Sequence, residues 1–164
     1  MKASHFSKDT RDLFRLLALH KVRFLLVGEE AVIYYGSSRL TGDVDLFFEP
    51  SSSNTRKLFA ALSEFWGGEI PEIEKPEDLA VPRLIIQLGV PPNRIDLINS
   101  ISGVTFAQAW AGRLEETITL ENRDFPLSLI GLEQLIRNKE AVSRPKDKED
   151  LKYLRFSLAK KKKR

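Results

Sequence analysis

Residues 41–48, TGDVDLFF, constrain this chain more than any other stretch. Val44, Leu46, Phe47 and Phe48 predict a strand bound for an apolar core, yet Asp43 and Asp45 sit two positions apart within it. Successive side chains of a strand point to opposite faces, so residues i and i+2 share one, and both carboxylates look the same way. At a separation of roughly 6 Å and an effective dielectric of about 20, two such charges repel by about 2–3 kcal/mol. Two readings answer this. The plain one is a solvated edge strand carrying two harmless charges. The other is a divalent cation bridged by the carboxylate oxygens, and Mg²⁺ is typically held by one or two carboxylates plus the phosphate oxygens of a substrate.

Whole-chain properties narrow what surrounds this strand. The 164 residues suit one ordinary domain, here expected over residues 1–159 with a basic tail at 160–164. With 42% hydrophobic and 30% charged residues the composition is that of a soluble globular protein. No apolar run approaches the ~18–20 residues of a membrane span, and the N-terminus MKASHFSKDTRD lacks the apolar centre of a signal peptide. No membrane partner and a cytoplasmic location are therefore expected. The absence of cysteine removes disulfides, thiol nucleophiles and thiolate metal sites. His5 and His20 are the only imidazoles, both expected to be ordinary surface residues, so zinc is not expected. The net charge is +3, but Lys160 to Arg164 supply five positive charges and the rest of the chain is slightly acidic. A globally basic nucleic-acid surface is not indicated. The tail reads as a solvated, frayed end, with RNA, DNA or an acidic partner as its alternative use.

Along the chain, Leu13, Leu16 and Leu17 at helical spacing predict a first helix capped by Asp9 or Thr10. RFLLV is a short apolar strand ended by Gly28, and EEAVIYYG a short helix with Glu29 and Glu30 in its first turn. SSSNTRKLFAALSEFW predicts a serine-capped helix closed by Gly67 and Gly68, and EIPEIEKPEDLAVP a loop with little regular structure. RLIIQLG and RIDLIN, split by VPPN, predict an antiparallel hairpin, as do ETITL and FPLSLI around the turn ENRD. FAQAWAG is a short helix, and two more are separated at Pro145. The fold class is α/β or α+β, a small mixed, partly antiparallel sheet flanked by helices, with further helices at the C-terminus.

RIDLIN places a third carboxylate, Asp96, between Ile95 and Leu97, where an aspartate is costly to bury alone. An ordinary pairing with Arg94 would answer that cost. If this strand lies beside the first, Asp43, Asp45 and Asp96 form a cluster of the kind that binds two Mg²⁺ ions for phosphoryl or nucleotidyl transfer. Upstream, a strand, Gly28 and a helix start offer free backbone N–H groups to a phosphate.

FLLVGEEAVIYYGSSRLTGDVDLFFEP resembles the opening motif of the minimal nucleotidyltransferases of the DNA-polymerase-β-like superfamily, closest to the group of abortive-infection toxin nucleotidyltransferases. The pattern is carried by Gly28, Arg39, Thr41, Asp43 and Asp45. RIDLINSISGVTFAQAW resembles the third-carboxylate strand, and LEQLIRNKEAVSRPKDKEDLKYL the closing helices, with Lys139, Arg144, Lys146, Asp147 and Asp150. The resemblance implies a nucleotidyltransferase-like fold and a Mg²⁺-dependent transfer of NMP from an NTP, ATP included, to a hydroxyl of a protein, RNA or small molecule, in a toxin–antitoxin setting. It implies that Asp43 and Asp45 hold the metal bridging the triphosphate. Asp96 would hold a second metal and help deprotonate the attacking hydroxyl, and Gly28, Arg39, Thr41 and Lys139 would serve the nucleotide. Lys139 continues the apolar stripe of Leu132, Leu135 and Ile136, so it either snorkels out or reaches into the cleft.

The sequence departs from the group at Glu29, where a small residue is expected after Gly28. A glutamate in a first helical turn suits the dipole but is the wrong charge for a triphosphate. Either Glu29 turns away, or the nucleotide sits differently, or tight NTP binding has been lost. Three functions follow in order: an enzyme, a non-catalytic nucleotide- or partner-binding regulatory module of the same fold, and a nucleic-acid adaptor working through Lys160 to Arg164.

Overall fold

The computed structural model describes residues 1–38 and 41–162. Six strands form one mixed sheet: β1 (Phe24–Val27), β2 (Val44–Phe48), β3 (Ile85–Leu88), β4 (Ile95–Ile98), β5 (Leu114–Leu120) and β6 (Arg123–Leu129), ordered β3-β4-β2-β1-β6-β5. β2 runs antiparallel to β1 and parallel to β4, and β1 runs parallel to β6. The two predicted hairpins, β3-β4 and β5-β6, close the edges. Every residue of β1 is buried, as its unbroken apolar sequence requires of a central strand.

Helices cover both faces. On one lie α1 (Lys8–Leu19) and α3 (Ser52–Trp66), whose Leu13, Leu17, Leu58 and Leu62 pack on Phe24, Leu26, Leu46, Phe48 and Leu97. On the other lie α2 (Gly28–Tyr34), α4 (Phe106–Ala111), α5 (Leu132–Val142) and α6 (Pro145–Lys162), gathered on Leu25, Val27 and Phe47. The period of two assigns each strand residue to its face. Val44, Leu46 and Phe48 of β2 belong to the first core and Phe47 to the second. Asp45, one step from Leu46, is therefore on the α2/α5/α6 side, and Asp96, between Ile95 and Leu97 of the first core, is on that side too.

Several expectations are corrected. α1 is capped by Ser7, whose hydroxyl accepts from the Thr10 amide at 3.2 Å, not by Asp9 or Thr10. β2 begins at Val44, so Asp43 lies in the lead-in to the strand. The acidic, proline-rich stretch carries a 3₁₀ turn, Pro76–Ala80, in which Asp78 accepts from the Glu74 and Lys75 amides, and Leu79 is fully buried. The β5-β6 turn is Glu121–Asn122 rather than ENRD, since both residues have positive φ, as a two-residue hairpin turn of the tight-twist type demands. α6 continues to Lys162, so the start of the basic tail is helical rather than frayed. Among the described residues, no helix is long and apolar enough to cross a membrane.

Candidate active site

The parallel pairing of β2 with β4 sets Asp45 directly beside Asp96, flanked by Val44 beside Ile95 and Leu46 beside Leu97. The conditional adjacency in the sequence reading is thus met. Asp96 is buried and Asp45 half-buried. Burial first, and then the neighbouring Asp96 carboxylate, push the Asp45 carboxyl up from 3.8 to about 6, against the pull of Arg94 and Lys139.

Asp43 joins the pair from the turn before β2. Thr41 shapes that turn: its hydroxyl accepts from the Asp43 amide at 3.2 Å. One oxygen of Asp43 accepts from the Arg94 amide at 3.1 Å, and the other lies 3.7 Å from the Arg94 guanidinium. The same guanidinium places Nε 2.9 Å from Oδ1 of Asp96. This contact is ionic but too poorly aligned for a hydrogen bond, which leaves Arg94 Nε and Asp96 Oδ1 buried without one. Of the two alternatives in the sequence, the Asp96–Arg94 pairing is present, and of the carboxylate cluster the adjacency of Asp45 and Asp96. Arg94 is the residue whose role was underread: at i−2 from Asp96 it shares its face, which the period of two could have revealed.

Gly28 closes the floor. Its φ is +65°, and a Cβ built there would stand 1.9 Å from Oδ2 of Asp45, so the bare backbone is what lets the carboxylate lie against the start of α2. Gly42 is similarly required, because a Cβ would meet the Pro92 carbonyl oxygen at 1.7 Å. This presses the β3-β4 connection onto the approach to Asp43. α2 is only seven residues long, with Glu29 and Glu30 in its first turn. Glu29 turns to α6, where Lys146 holds its carboxylate in an ion pair. Glu30 is buried and bonded to Nε2 of His5 at 2.8 Å. Burial raises its carboxyl above the ordinary value, and the His5 hydrogen bond and charge partly offset this. His5 is thereby a tether for the N-terminal segment, not a bland surface residue.

The closing helices bring a second charged cluster to the same side. Lys139 neither snorkels nor projects freely into the cleft: it is 4% exposed and donates to Asp147 at 3.0 Å, with Asp150 at 2.9 Å. Arg144 grips Asp147 through its amide and Nε. Burial works against the Asp147 charge, but the hydrogen bonds from Arg144 and Lys139 outweigh it and bring the carboxyl down to about 2. Hydrogen bonding to Asp147 holds Arg144 still more firmly protonated, with a smaller contribution from Asp45. Lys139 favours the charged form of Asp45, and Asp45 that of Arg144, across the face of the sheet on which α5 and α6 pack. Arg39 lies outside the described residues.

By donor type the three aspartates suit a hard divalent cation. One observation agrees, the close pairing of the Asp45 and Asp96 carboxylates across β2 and β4; Asp96 Oδ1, although without a hydrogen bond, is already ion-paired with Arg94 at 2.9 Å. Among the described residues no three acidic, histidine or cysteine side chains converge in ligating geometry, and Asp43 is engaged with Arg94. The residues thus fit the ion in donor chemistry, with Asp45 and Asp96 as the neighbouring pair.

Residues 6–164 match the family described as "Nucleotidyl transferase of unknown function (DUF2204)", and the chain belongs to that family. Among solved structures it is similar to an antigenic nucleotidyltransferase-like protein from Paracoccidioides brasiliensis, with a TM-score of 0.52 and 13% identity over 94% of this chain and 78% of that one. At that identity the likeness concerns the fold alone, which is nucleotidyltransferase-like as the motifs implied. No curated protein matches the chain.

Proposed function

We propose that this protein is a Mg²⁺-dependent nucleotidyltransferase that moves NMP from an NTP to a hydroxyl of a protein, RNA or small-molecule acceptor. The observation that carries the reading is the in-register pairing of Asp45 with Asp96, with Asp43 one turn away and the Gly28 backbone against the Asp45 carboxylate. Asp43, Asp45 and Asp96 would hold the two metal ions. When bound, Mg²⁺ supplies charge neutralisation on the triphosphate and acidifies the attacking hydroxyl. Asp45, whose carboxyl burial and Asp96 push up to about 6, would be held in its charged form as a ligand. Asp96 accepts the hydroxyl proton as the new oxygen–phosphorus bond forms and the bond to pyrophosphate breaks. Gly28 and Thr41 keep the carboxylates in place, Gly28 by its lack of a side chain and Thr41 through the Asp43 amide. Lys139 holds Asp147 and Asp150 at the α5–α6 junction. Arg39 is assigned to phosphate contact from the motif alone.

The Glu29 objection loses force because Lys146 neutralises that carboxylate. A non-catalytic regulatory module remains the second reading, favoured by Arg94, whose guanidinium already contacts both Asp43 and Asp96. The resemblance to abortive-infection toxins extends the first reading to a toxin–antitoxin setting, and the charge run of Lys160 to Arg164 separately supports a nucleic-acid contact. The test is incubation with each α-labelled NTP, Mg²⁺ and cell extract. Label transfer by wild type, lost in Asp96→Asn with nucleotide affinity retained, supports the enzyme. No transfer from any NTP, with no Mg²⁺-dependent nucleotide affinity, refutes it.

A further inference from the structure

We infer that Lys146 is the residue that grips the β- and γ-phosphates of the donor, and that Glu29 is its resting partner, exchanged for phosphate when the donor arrives. The inference rests on the metal-and-triphosphate reading of the Asp45 site. Three cations stand at the α5–α6 junction, and they are not equivalent. Lys139 is buried between two fully buried carboxylates, Asp147 and Asp150, so it cannot leave without stranding both. Arg144 is fastened to Asp147 by its amide, Nε and Nη2. Lys146 alone of the three pairs with a carboxylate outside that buried cluster: its side chain is 49% exposed and that of Glu29 30% exposed.

The position of this pair is fixed by the backbone. Glu29 follows Gly28, whose Cα lies against Oδ2 of Asp45. Adjacent Cα atoms are about 3.8 Å apart, so Glu29 is rooted one residue from the backbone that touches the Asp45 carboxylate, and the partner at the end of its side chain is Lys146. A phosphate chain held at Asp45 comes within range of its flexible four-carbon stem. The exchange is also cheap. A part-exposed Lys–Glu pair contributes little, whereas a charge-assisted hydrogen bond to phosphate is among the stronger polar contacts. The carboxylate that replaces the family's small residue then has a function: it keeps Lys146 parked beside the site and limits how tightly the donor, and pyrophosphate after transfer, is retained.

The base preference of the donor is open, so the probe is Mg²⁺-pyrophosphate, titrated calorimetrically at fixed salt, with each NMP and Mn²⁺ titrated in parallel. Lys146→Gln is expected to weaken pyrophosphate binding at least about tenfold, the worth of one such hydrogen bond, while affinity for NMP and for Mn²⁺ stays unchanged. Glu29→Gln is expected to tighten pyrophosphate binding. Both side chains are part-exposed, so neither variant should lose the fold, and melting temperatures within a few degrees of wild type serve as the control. Unchanged pyrophosphate affinity in Lys146→Gln overturns the inference, as does the absence of pyrophosphate binding by both wild type and Glu29→Gln. In either case, Mn²⁺ binding that Asp45→Asn removes would leave the nucleotidyltransferase reading standing, and without such binding both fall.

Discussion

Replacing Asp45 by Asn should stabilise the metal-free protein, although it removes a residue assigned to the metal. The carboxyl is raised from 3.8 to about 6 by burial and by Asp96, so the fold disfavours its charged form. Each pKa unit is worth about 1.4 kcal/mol, which gives about 3 kcal/mol as an upper bound on the penalty at neutral pH. The sign follows from linkage: a carboxyl whose folded pKa exceeds its unfolded pKa binds more protons when folded, so stability falls as pH rises through the window between the two values. Here that window runs from about 4 to about 6. Above it the wild type bears the whole penalty, and below it none. For a chain of this size each kcal/mol moves Tm by about 2–4 °C, so Asp45→Asn should raise Tm at pH 7.5 by up to about 10 °C. The gain should shrink steadily toward pH 4. Added Mg²⁺ should raise the wild-type Tm and leave that of the variant unchanged. The assay is thermal unfolding of both proteins in chelator and in Mg²⁺ across this pH range. A variant that melts at or below wild type at pH 7.5, or a gap that persists unchanged to pH 4, would refute the argument.

Lys139→Met should lower stability by about 3–5 kcal/mol in denaturant titration, because Asp147 and Asp150 would stay buried without the ammonium between them. A loss under about 1 kcal/mol, the scale of an exposed pair, would mean that the ammonium is not what compensates them. Gly28→Ala should cost about 1–2 kcal/mol for its left-handed backbone alone, and should weaken Mn²⁺ binding in calorimetry because the new methyl occupies the space of the Asp45 carboxylate. Wild-type Mn²⁺ affinity in that variant would show that Asp45 can move aside without consequence.

Local chemistry made much of the fold legible. The period of two in β2 and β4 separates Leu46 and Leu97 from Asp45 and Asp96, and Gly67 ends α3 as the sequence suggested, in a left-handed conformation. What could not be read was pairing across long separations. Nothing within RIDLIN says that it runs parallel to β2 in a register that sets Asp96 beside Asp45, since that depends on β1 and β4 taking opposite sides of β2. The β5-β6 turn was misplaced because Glu121 and Asn122 adopt positive φ without a glycine to announce it. The acidic, proline-rich stretch hid its order because its anchors are few: Ile70, Ile73 and Leu79, buried under charged neighbours.

The charged residues raise a different problem, because their meaning depends on the partner. Lys139 shares an apolar stripe, which signals burial, and a buried ammonium requires carboxylates. Asp147 and Asp150, three apart on α6 and hence on one face, are the pair that meets this requirement. That inference was available, but it needs the α5–α6 hairpin to be assumed first. The described cations around Asp45 are matched in the same way: Arg94 to Asp43 and Asp96, Arg144 to Asp147, Lys146 to Glu29. On the proposed reading Mg²⁺ and Arg39 meet part of the triphosphate charge, and a further cation is drawn from these pairs by exchanging one internal partner for phosphate. The partner released at least cost is the one least buried, and among these carboxylates that places the exchange at Glu29 or Asp43 rather than at Asp147, whose side chain is wholly enclosed. Asp43 accepts from the Arg94 amide and on the proposed reading also serves the cation, which leaves Glu29 as the partner proposed for exchange.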